Sequence, residues 1–317
     1  MPSICLDEFI TSPYALKEMN DLVICGTIGL DDIETPFGKV KSTLGGSGIY
    51  ASLAASFFIK PGLVSIVGKD FPDEHLQTLK SRKINLDGVS KGQKTFRWSG
   101  FYEFDMNEAK TKKTELNSLK NFKPILPAHY KTAKYLFLAN IDPELQLSII
   151  EQASKKALIL IDTMNYWIEN KKPQLLKVIK QADIVLLNDA EARELFKTPS
   201  LILAAQKTLQ LGAKYVIIKK GEHGALLFSQ KSHFSAPGYP CENLKDPTGA
   251  GDSFAGGLIG YLSKRGQIDE PTIRKGVIFG SAIASYCAED FGTLYRDKIN
   301  FKDIKERYGI FREIRRF

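Results

Sequence analysis

The 317-residue sequence contains no cysteine pair, no long apolar run and no P-loop motif. Its four cysteines stand far apart, which argues against a disulfide framework and a zinc site, and we expect a reduced, cytoplasmic protein. No apolar stretch approaches the roughly 20 residues that cross a bilayer, and the N-terminus lacks the pattern of a secretory signal, so no membrane partner is expected. The absence of G-x-x-x-x-G-K-[ST] excludes the P-loop class.

The chain carries a formal net charge of +8, from 44 Lys and Arg against 36 Asp and Glu. A basic balance can indicate a nucleic-acid partner. The lysines, however, are spread along the whole chain, and the densest cluster, at 305–316, is typical of a solvated helix face. We therefore expect no nucleic-acid partner.

Short apolar runs rich in β-branched residues alternate with segments of helical periodicity. The strand-like runs lie at 22–25, 63–67, 135–139, 157–161, 183–187 and 215–218, and the helical segments at 47–58, 145–156, 173–181, 189–196 and 201–211. This alternation predicts a doubly wound α/β domain, a parallel central sheet flanked by helices. Residues 1–18 show little pattern, so we expect a loose N-terminal extension before a single domain at 19–317.

Two extended stretches, at about 31–43 and 94–104, interrupt the alternation. Each mixes aromatic with polar residues and is not followed by a helix, which predicts antiparallel strands outside the main sheet. The simplest interpretation is a small β lid over one edge of the domain.

The strongest local signal is the stretch D-P-T-G-A-G-D-S-F-A-G-G that begins at Asp246. An apolar helical pattern follows Asp252, so Gly249, Ala250 and Gly251 should lie at a helix N-terminus. Unpaired N–H groups and the helix dipole favour an anion there, and glycine lets it approach closely. Asp252, in the first turn, can accept the proton of a hydroxyl that attacks a phosphate. The alternative is a helix start with a favourable acidic charge.

That stretch closely resembles the C-terminal signature of the ribokinase-like (PfkB-type) carbohydrate and nucleoside kinases, and other segments match the family in order. Residues 26–31 are similar to its first-strand substrate loop, and 45–48 to its paired-glycine substrate motif. Residues 188–191 match its Asn-x-x-Glu motif, and 220–225 resemble its nucleotide loop.

The resemblance implies a ribokinase-like fold and an ATP-dependent kinase. Asp252 would deprotonate a substrate hydroxyl that attacks the γ-phosphate of ATP, while Gly249, Ala250 and Gly251 would stabilise the charge of the transferring group. The implied substrate-binding residues are Asp31, Gly45, Gly46 and Tyr50. The implied nucleotide-binding residues are Asn188, Glu191, Lys220, Gly221 and Gly224.

Two kinds of cation are also implied. Glu191 would support Mg²⁺ indirectly, since one helical turn places it on the same face as Asn188. Asp246 and Thr248 match positions at which many members bind a monovalent cation such as K⁺. The resemblance also allows a homodimer formed through the lid.

Two departures from the family bear on the phosphate acceptor. Ribose-specific members carry Asn at the positions of Gly29 and Tyr50, so ribose is not the expected acceptor. Tyr50, Phe96 and Trp98 either offer an aromatic wall to a base or bulkier sugar, or pack the lid itself. We expect a hydroxymethyl group of a sugar or sugar derivative as acceptor, with an adenosine-like nucleoside as the alternative.

Three of these motifs, taken one at a time, also have a simpler structural interpretation. Residues 188–191 can be a helix cap, Asp31 can cap a turn, and Gly221 with Gly224 can form a hairpin turn. A catalytically inactive sugar- or nucleotide-binding regulator is a further alternative, which the presence of Asp252 argues against.

A rival class is suggested by Gly46-x-Gly48-x-x-Ala51 followed by Asp70, which fits the fingerprint of dinucleotide-binding oxidoreductases. That fingerprint must follow a buried strand, and the preceding residues 39–44 are too polar for the centre of a parallel sheet.

Overall fold

The computed structural model describes residues 21–316, so the expected extension at 1–18 lies outside the described residues. The strands are β1 (Leu22–Cys25), β2 (Gly29–Thr35), β3 (Gly38–Gly45), β4 (Gly62–Gly68), β5 (Asn85–Gly92), β6 (Phe96–Tyr102), β7 (Ala109–Glu115), β8 (Tyr135–Leu138), β9 (Leu158–Ile161), β10 (Ile184–Asn188), β11 (Tyr215–Lys219), β12 (Ala225–Phe228) and β13 (His233–Ala236). The helices are α1 (Ser47–Ala55), α2 (Asp73–Ser81), α3 (Pro143–Gln152), α4 (Asn165–Asn170), α5 (Lys172–Ile179), α6 (Asp189–Phe196), α7 (Leu201–Gln210), α8 (Ala250–Arg265), α9 (Glu270–Ala288) and α10 (Phe301–Ile314).

Within residues 21–316 the main sheet has nine strands in the order β13-β12-β11-β10-β9-β8-β1-β4-β5. The seven strands from β11 to β5 are parallel, whereas β12 and β13 return antiparallel at one edge. The sheet is therefore mixed, because the short turn between β11 and β12 leaves no room for a crossover helix. The predicted doubly wound α/β fold is confirmed.

Alternation along the strands divides the core into two layers. In β1, Leu22 and Ile24 face one side and Val23 and Cys25 face the other, and all four are fully buried. Helices α1, α8 and α9 cover the first face, and α3, α5, α6 and α7 cover the second. Burial on both faces is why these strands are apolar throughout.

The lid is a separate four-stranded sheet in the order β3-β2-β6-β7. The stretch predicted at 31–43 is a hairpin of two strands, and the stretch at 94–104 contains β6, which pairs with β7. The expectation of antiparallel strands is corrected at the centre, where β2 and β6 run parallel. Strand β7, at the lid edge, escaped prediction because it is rich in lysine and mostly exposed.

The dinucleotide fingerprint is ruled out by its position. Gly46 follows β3, an antiparallel lid strand, rather than a central parallel strand. The N-terminus of α1 is nevertheless important, because α1 packs side by side with α8. A Cβ on Gly256 of α8 would overlap the carbonyl oxygen of Ala51, so the absence of a side chain lets the two backbones touch. Gly260 faces Ala55 one turn later, so the helices are parallel and their N-termini lie at the same end.

Candidate active site

Helix α8 begins at Ala250, at the position predicted from the glycine-rich stretch. Gly249 is its N-cap residue, with a left-handed φ of 74° that favours glycine. Within the described chain the N–H groups of Gly249, Gly251 and Asp252 have no hydrogen-bond partner, whereas the N–H of Ala250 donates to Pro247 O at 3.1 Å. Three unpaired donors at the positive end of a 16-residue helix favour an anion, which makes this helix start a candidate anion site.

Asp252 stands beside these donors and remains half-buried. Burial raises the pKa of its carboxyl group to about 7; the Asp162 carboxylate raises it further, while Lys219 opposes the rise. A carboxylate with a pKa near neutrality is well matched to take a proton from a hydroxyl.

Asp162 and Lys219 were not identified from the sequence. Asp162 follows β9 directly and Lys219 ends β11, so both lie at the carboxyl edge of the parallel sheet, where ligands bind in such folds. The rule that ligands bind at this edge of the sheet is the signal that could have pointed to both residues. Lys219 Nζ lies 2.6 Å from Asp162 Oδ2, and the Asp162 side chain is 3% exposed.

Asp31, in β2, lies against the paired glycines Gly45 and Gly46. Its carboxylate occupies the space that a Cβ on Gly45 would need, and the N–H of Gly46 hydrogen-bonds to it. Asp31 Oδ1 is buried and has no hydrogen-bond partner among residues 21–316. Burial, reinforced by Asp246 and Asp252, outweighs the Gly46 hydrogen bond and raises the Asp31 pKa to about 8. An unsatisfied buried acceptor is the feature expected of a group that binds a substrate hydroxyl.

Tyr50 lies in the core and not on an open wall. Its ring packs directly under Gly249, where a Cβ would overlap it, and the residue is 1% exposed. The predicted aromatic wall that includes Tyr50 is therefore corrected, because α1 turns this side chain toward α8. Phe96 and Trp98 are half-buried in the lid. A Cβ on Gly29 would lie 2.6 Å from Phe96 Cδ1, so the Phe96 ring takes the space that an Asn at position 29 would fill.

Asn188 and Glu191 form a complete capping box at the start of α6. Asn188 Oδ1 accepts from the Glu191 N–H at 2.7 Å, and Glu191 Oε2 accepts from the Asn188 N–H at 2.7 Å. The helix-cap interpretation is thus present in the structure. Glu191 is 5% exposed, and burial raises its pKa although Lys219 opposes the rise. The capping box holds this carboxylate beside the anion site, where Lys219 and Asp252 both act on its charge.

The segment from Lys220 to Gly224 joins β11 to β12 as a hairpin, the simpler of the two interpretations. The N–H of Lys220 donates to Gly224 O at 2.8 Å. Gly221 and Gly224 have positive φ of 54° and 80°, and a Cβ on Gly224 would overlap Ala236 O. The neighbouring Lys219, rather than Lys220, is the lysine whose ammonium group lies near Gly251. A nucleotide-binding role for this hairpin stays a prediction.

Asp246 is fully buried and braces the glycine-rich loop. Its two carboxylate oxygens accept from the N–H groups of Thr248 at 2.9 Å and Gly292 at 2.8 Å. The Thr248 hydroxyl lies 3.3 Å from the Tyr102 hydroxyl of the lid. A monovalent cation at Asp246 and Thr248 stays a prediction.

Across the described range, 21–316, no group of three or more His, Cys, Asp or Glu side chains is arranged to hold a metal ion. In the same range, no helix combines the length and apolar character of a membrane span.

A doubly wound sheet with a β lid, an anion site at a helix N-terminus and an adjacent carboxylate define a phosphotransferase of the ribokinase fold. Residues 19–298 match the model of the pfkB family of carbohydrate kinases. The chain belongs to this family and is a phosphotransferase with an alcohol group as acceptor.

Individual proteins show the same similarity. A cytidine kinase from Thermococcus kodakarensis is 32% identical over 264 residues, which cover 82% of this chain and 94% of the relative. The structure of a Methanocaldococcus jannaschii nucleoside kinase aligns with a TM-score of 0.74 at 20% identity, over 92% of this chain and 99% of that one. A protein described as ribokinase II from E. coli, solved in complex with ATP and Mg²⁺, aligns with a TM-score of 0.76 at 17% identity, over 91% and 99% of the two chains.

Proposed function

We propose that this protein is an ATP- and Mg²⁺-dependent kinase that phosphorylates the hydroxymethyl group of a nucleoside. The observation that carries the proposal is the pairing of Asp252 with the unpaired N–H groups of Gly249 and Gly251. A base and an anion site within one helical turn are the two elements that phosphoryl transfer to an alcohol requires.

In the proposed reaction, Asp252 accepts the proton of the acceptor hydroxyl as its oxygen bonds to the γ-phosphorus. The bond from that phosphorus to the bridging oxygen breaks, and its electron pair leaves with ADP. The free N–H groups at the start of α8 stabilise the charge on the transferring phosphoryl group. Asp31, through its unpaired Oδ1, orients the acceptor by hydrogen bonds to its other hydroxyls.

The nucleotide would lie along the carboxyl edge of β10 and β11. Mg²⁺ would neutralise phosphate charge there, with Glu191 holding its waters rather than binding the ion directly. The raised pKa of Glu191 is consistent with this, because a buried carboxylate gains most from a nearby cation.

Two observations favour a nucleoside over a free sugar. The lid offers Phe96 where ribose-specific members of the family carry an amide, which replaces a hydrogen-bonding group by an apolar ring. Such a ring can stack on a base, for about 0.5–1.5 kcal/mol per aromatic pair. The cytidine kinase described above supports the same class, and its name suggests a pyrimidine base.

The test is ADP release with ATP and Mg²⁺ against a matched panel: cytidine, uridine, adenosine, ribose and fructose. We expect kcat/KM for the best nucleoside to exceed that for ribose at least tenfold, about 1.4 kcal/mol in transition-state binding. The variant Asp252→Asn, which lacks the proposed base, gives the background rate of ADP release.

A sugar derivative is the second candidate, because the family description is that of carbohydrate kinases and Asp31 suits any vicinal hydroxyl pair. A hexose or sugar acid that outperforms every nucleoside would replace the nucleoside in this account. Ribose as the best acceptor would contradict the argument from Gly29 and Phe96.

A further inference from the structure

Lys219 is directed into the anion site. Its Nζ lies 3.4 Å from the position of a Cβ on Gly251, so the ammonium group stands against the second of the free N–H donors. The side chain is 17% exposed, and the Asp162 carboxylate holds it at 2.6 Å. A second hydrogen bond, from the Thr163 N–H to Asp162 Oδ1 at 3.0 Å, orients that carboxylate.

The charge of Lys219 persists despite its burial. Burial alone would lower the Lys219 pKa, but the carboxylates of Asp162, Glu191 and Asp252 outweigh it, and the pKa is raised. A lysine that serves only to neutralise Asp162 needs no access to a ligand site. This one stands against Gly251 at the start of α8 and acts on Asp252, whose pKa it lowers.

We propose that Lys219 is a catalytic residue that stabilises the charge on the transferring phosphoryl group, and that Asp162 is the positioning residue that holds it. The proposal rests on phosphoryl transfer at Gly249–Gly251, and it concerns Lys219 rather than Lys220, for which the sequence predicted nucleotide binding. Lys219 keeps its proton throughout. The acceptor proton passes to Asp252, the new O–P bond forms, and the electron pair of the broken P–O bond leaves with ADP.

If the Lys219–Asp162 ion pair served only the stability of the fold, its removal would leave kcat unchanged in a folded variant. A double variant distinguishes this alternative from a catalytic role of Lys219. Asp162→Asn/Lys219→Met removes both charges of the buried pair together, which usually preserves or raises stability because neither member of the pair is left without its partner. We expect this variant to fold with a Tm near that of the wild type and to bind ATP. Its kcat should fall about 10²–10³-fold, the loss typical when one preorganised charge-stabilising group is removed. Lys214→Met is the matched control, because it breaks the ion pair of an exposed lysine with Asp183 just before β11, and it should keep kcat within a few-fold.

A second readout is the pH dependence of kcat/KM in Lys219→Met. Removing the cation should raise the Asp252 pKa and move the acid limb to higher pH. The groups that interact with Asp252 electrostatically are Asp162 after β9, Lys219 in β11, Glu191 in α6, Asp31 in β2, Tyr102 in the lid and Cys287 in α9. Only Lys219 among them is a cation, so a loss of Lys219 is left uncompensated.

The inference is overturned if the folded double variant turns over within a few-fold of the wild type. It is also overturned if that variant fails to fold while Lys219→Arg, which keeps the ion pair, retains full turnover, because the pair is then structural. We expect Lys219→Arg to fold and to lose about tenfold in kcat, since a planar guanidinium does not replace a compact ammonium. Asp252→Asn, assayed in parallel, separates the proposals: if it is fully active, the proposed reaction itself fails.

Discussion

At the scale of single residues, the proposed base Asp252 would set the pH dependence of the reaction through its pKa. The base acts only when deprotonated, and its pKa is raised to about 7. We therefore expect kcat/KM to fall about tenfold per pH unit below 7 and to level off above it. A profile measured from pH 5.5 to 8.5 with the best acceptor checks this. An acid limb centred near pH 4, the range of an ordinary Asp, would contradict the burial of this group.

The raised pKa of Asp31 makes the stability of the folded protein depend on pH. Because the folded state raises its pKa from the ordinary 3.8 to about 8, the stability that its protonated form contributes is full below the lower value and is lost progressively as the pH rises to the higher one. Relative to the wild type, Asp31→Asn should gain Tm steadily between pH 5 and pH 8, by at least roughly 2–4 °C, the shift that about 1 kcal/mol makes in a large domain, and the gain should level off above pH 8. Asp32→Asn, at the half-buried neighbour, is the control. A Tm for Asp31→Asn below that of the wild type at pH 9 would count against this assignment.

At the scale of elements, Tyr50 connects the two helices that build the site. Its ring supports Gly249 from below, and its hydroxyl is buried without a partner among residues 21–316. Tyr50→Phe should keep or slightly raise Tm and keep kcat, because it removes only an unsatisfied hydroxyl. Tyr50→Ala should lower Tm and cut kcat at least tenfold, because the cavity lets the loop move. Unchanged kcat in Tyr50→Ala would show that the loop does not need this support.

The capping box of α6 has a test of its own, because α10 carries a second capping box, formed by Asn300 and Asp303 far from the site along the chain. Glu191→Gln should raise the Mg²⁺ concentration for half-maximal rate at least several-fold, since the neutral amide attracts the hydrated ion less. Asp303→Asn weakens a cap in the same way and should leave Mg²⁺ dependence unchanged. Equal Mg²⁺ dependence in both variants would reduce Asn188 and Glu191 to a helix cap.

The sequence predicted those elements whose hydrophobic pattern is contained in one short segment. The six apolar runs are all strands, because burial on both faces requires continuous apolar residues. β5 and β7 were missed because edge and lid strands carry polar and charged residues. In the site, the glycine-rich helix start was predictable from local composition. Asp162 and Lys219 were not, because 57 positions separate them and only the sheet brings them together.

At the scale of the whole molecule, hydrogen bonds join the lid to the glycine-rich loop that begins at Asp246. Thr35 of the lid donates its hydroxyl to Lys245 O at 2.9 Å, just before Asp246, and Tyr102 reaches Thr248. The lid therefore contacts the segment that carries the anion site as well as the substrate loop. In the proposed reaction, these hydrogen bonds would connect acceptor binding under the lid with phosphate binding at α8.

The most direct test of this account is the turnover of Asp252→Asn under saturating ATP, Mg²⁺ and the best acceptor. Asn keeps the shape of the side chain but cannot take a proton, so kcat should fall about 10²–10⁴-fold. ATP binding, measured by calorimetry, and Tm should remain close to the wild-type values, and Asp303→Asn should be fully active. Turnover of Asp252→Asn within a few-fold of the wild type would remove Asp252 as the base and contradict the account.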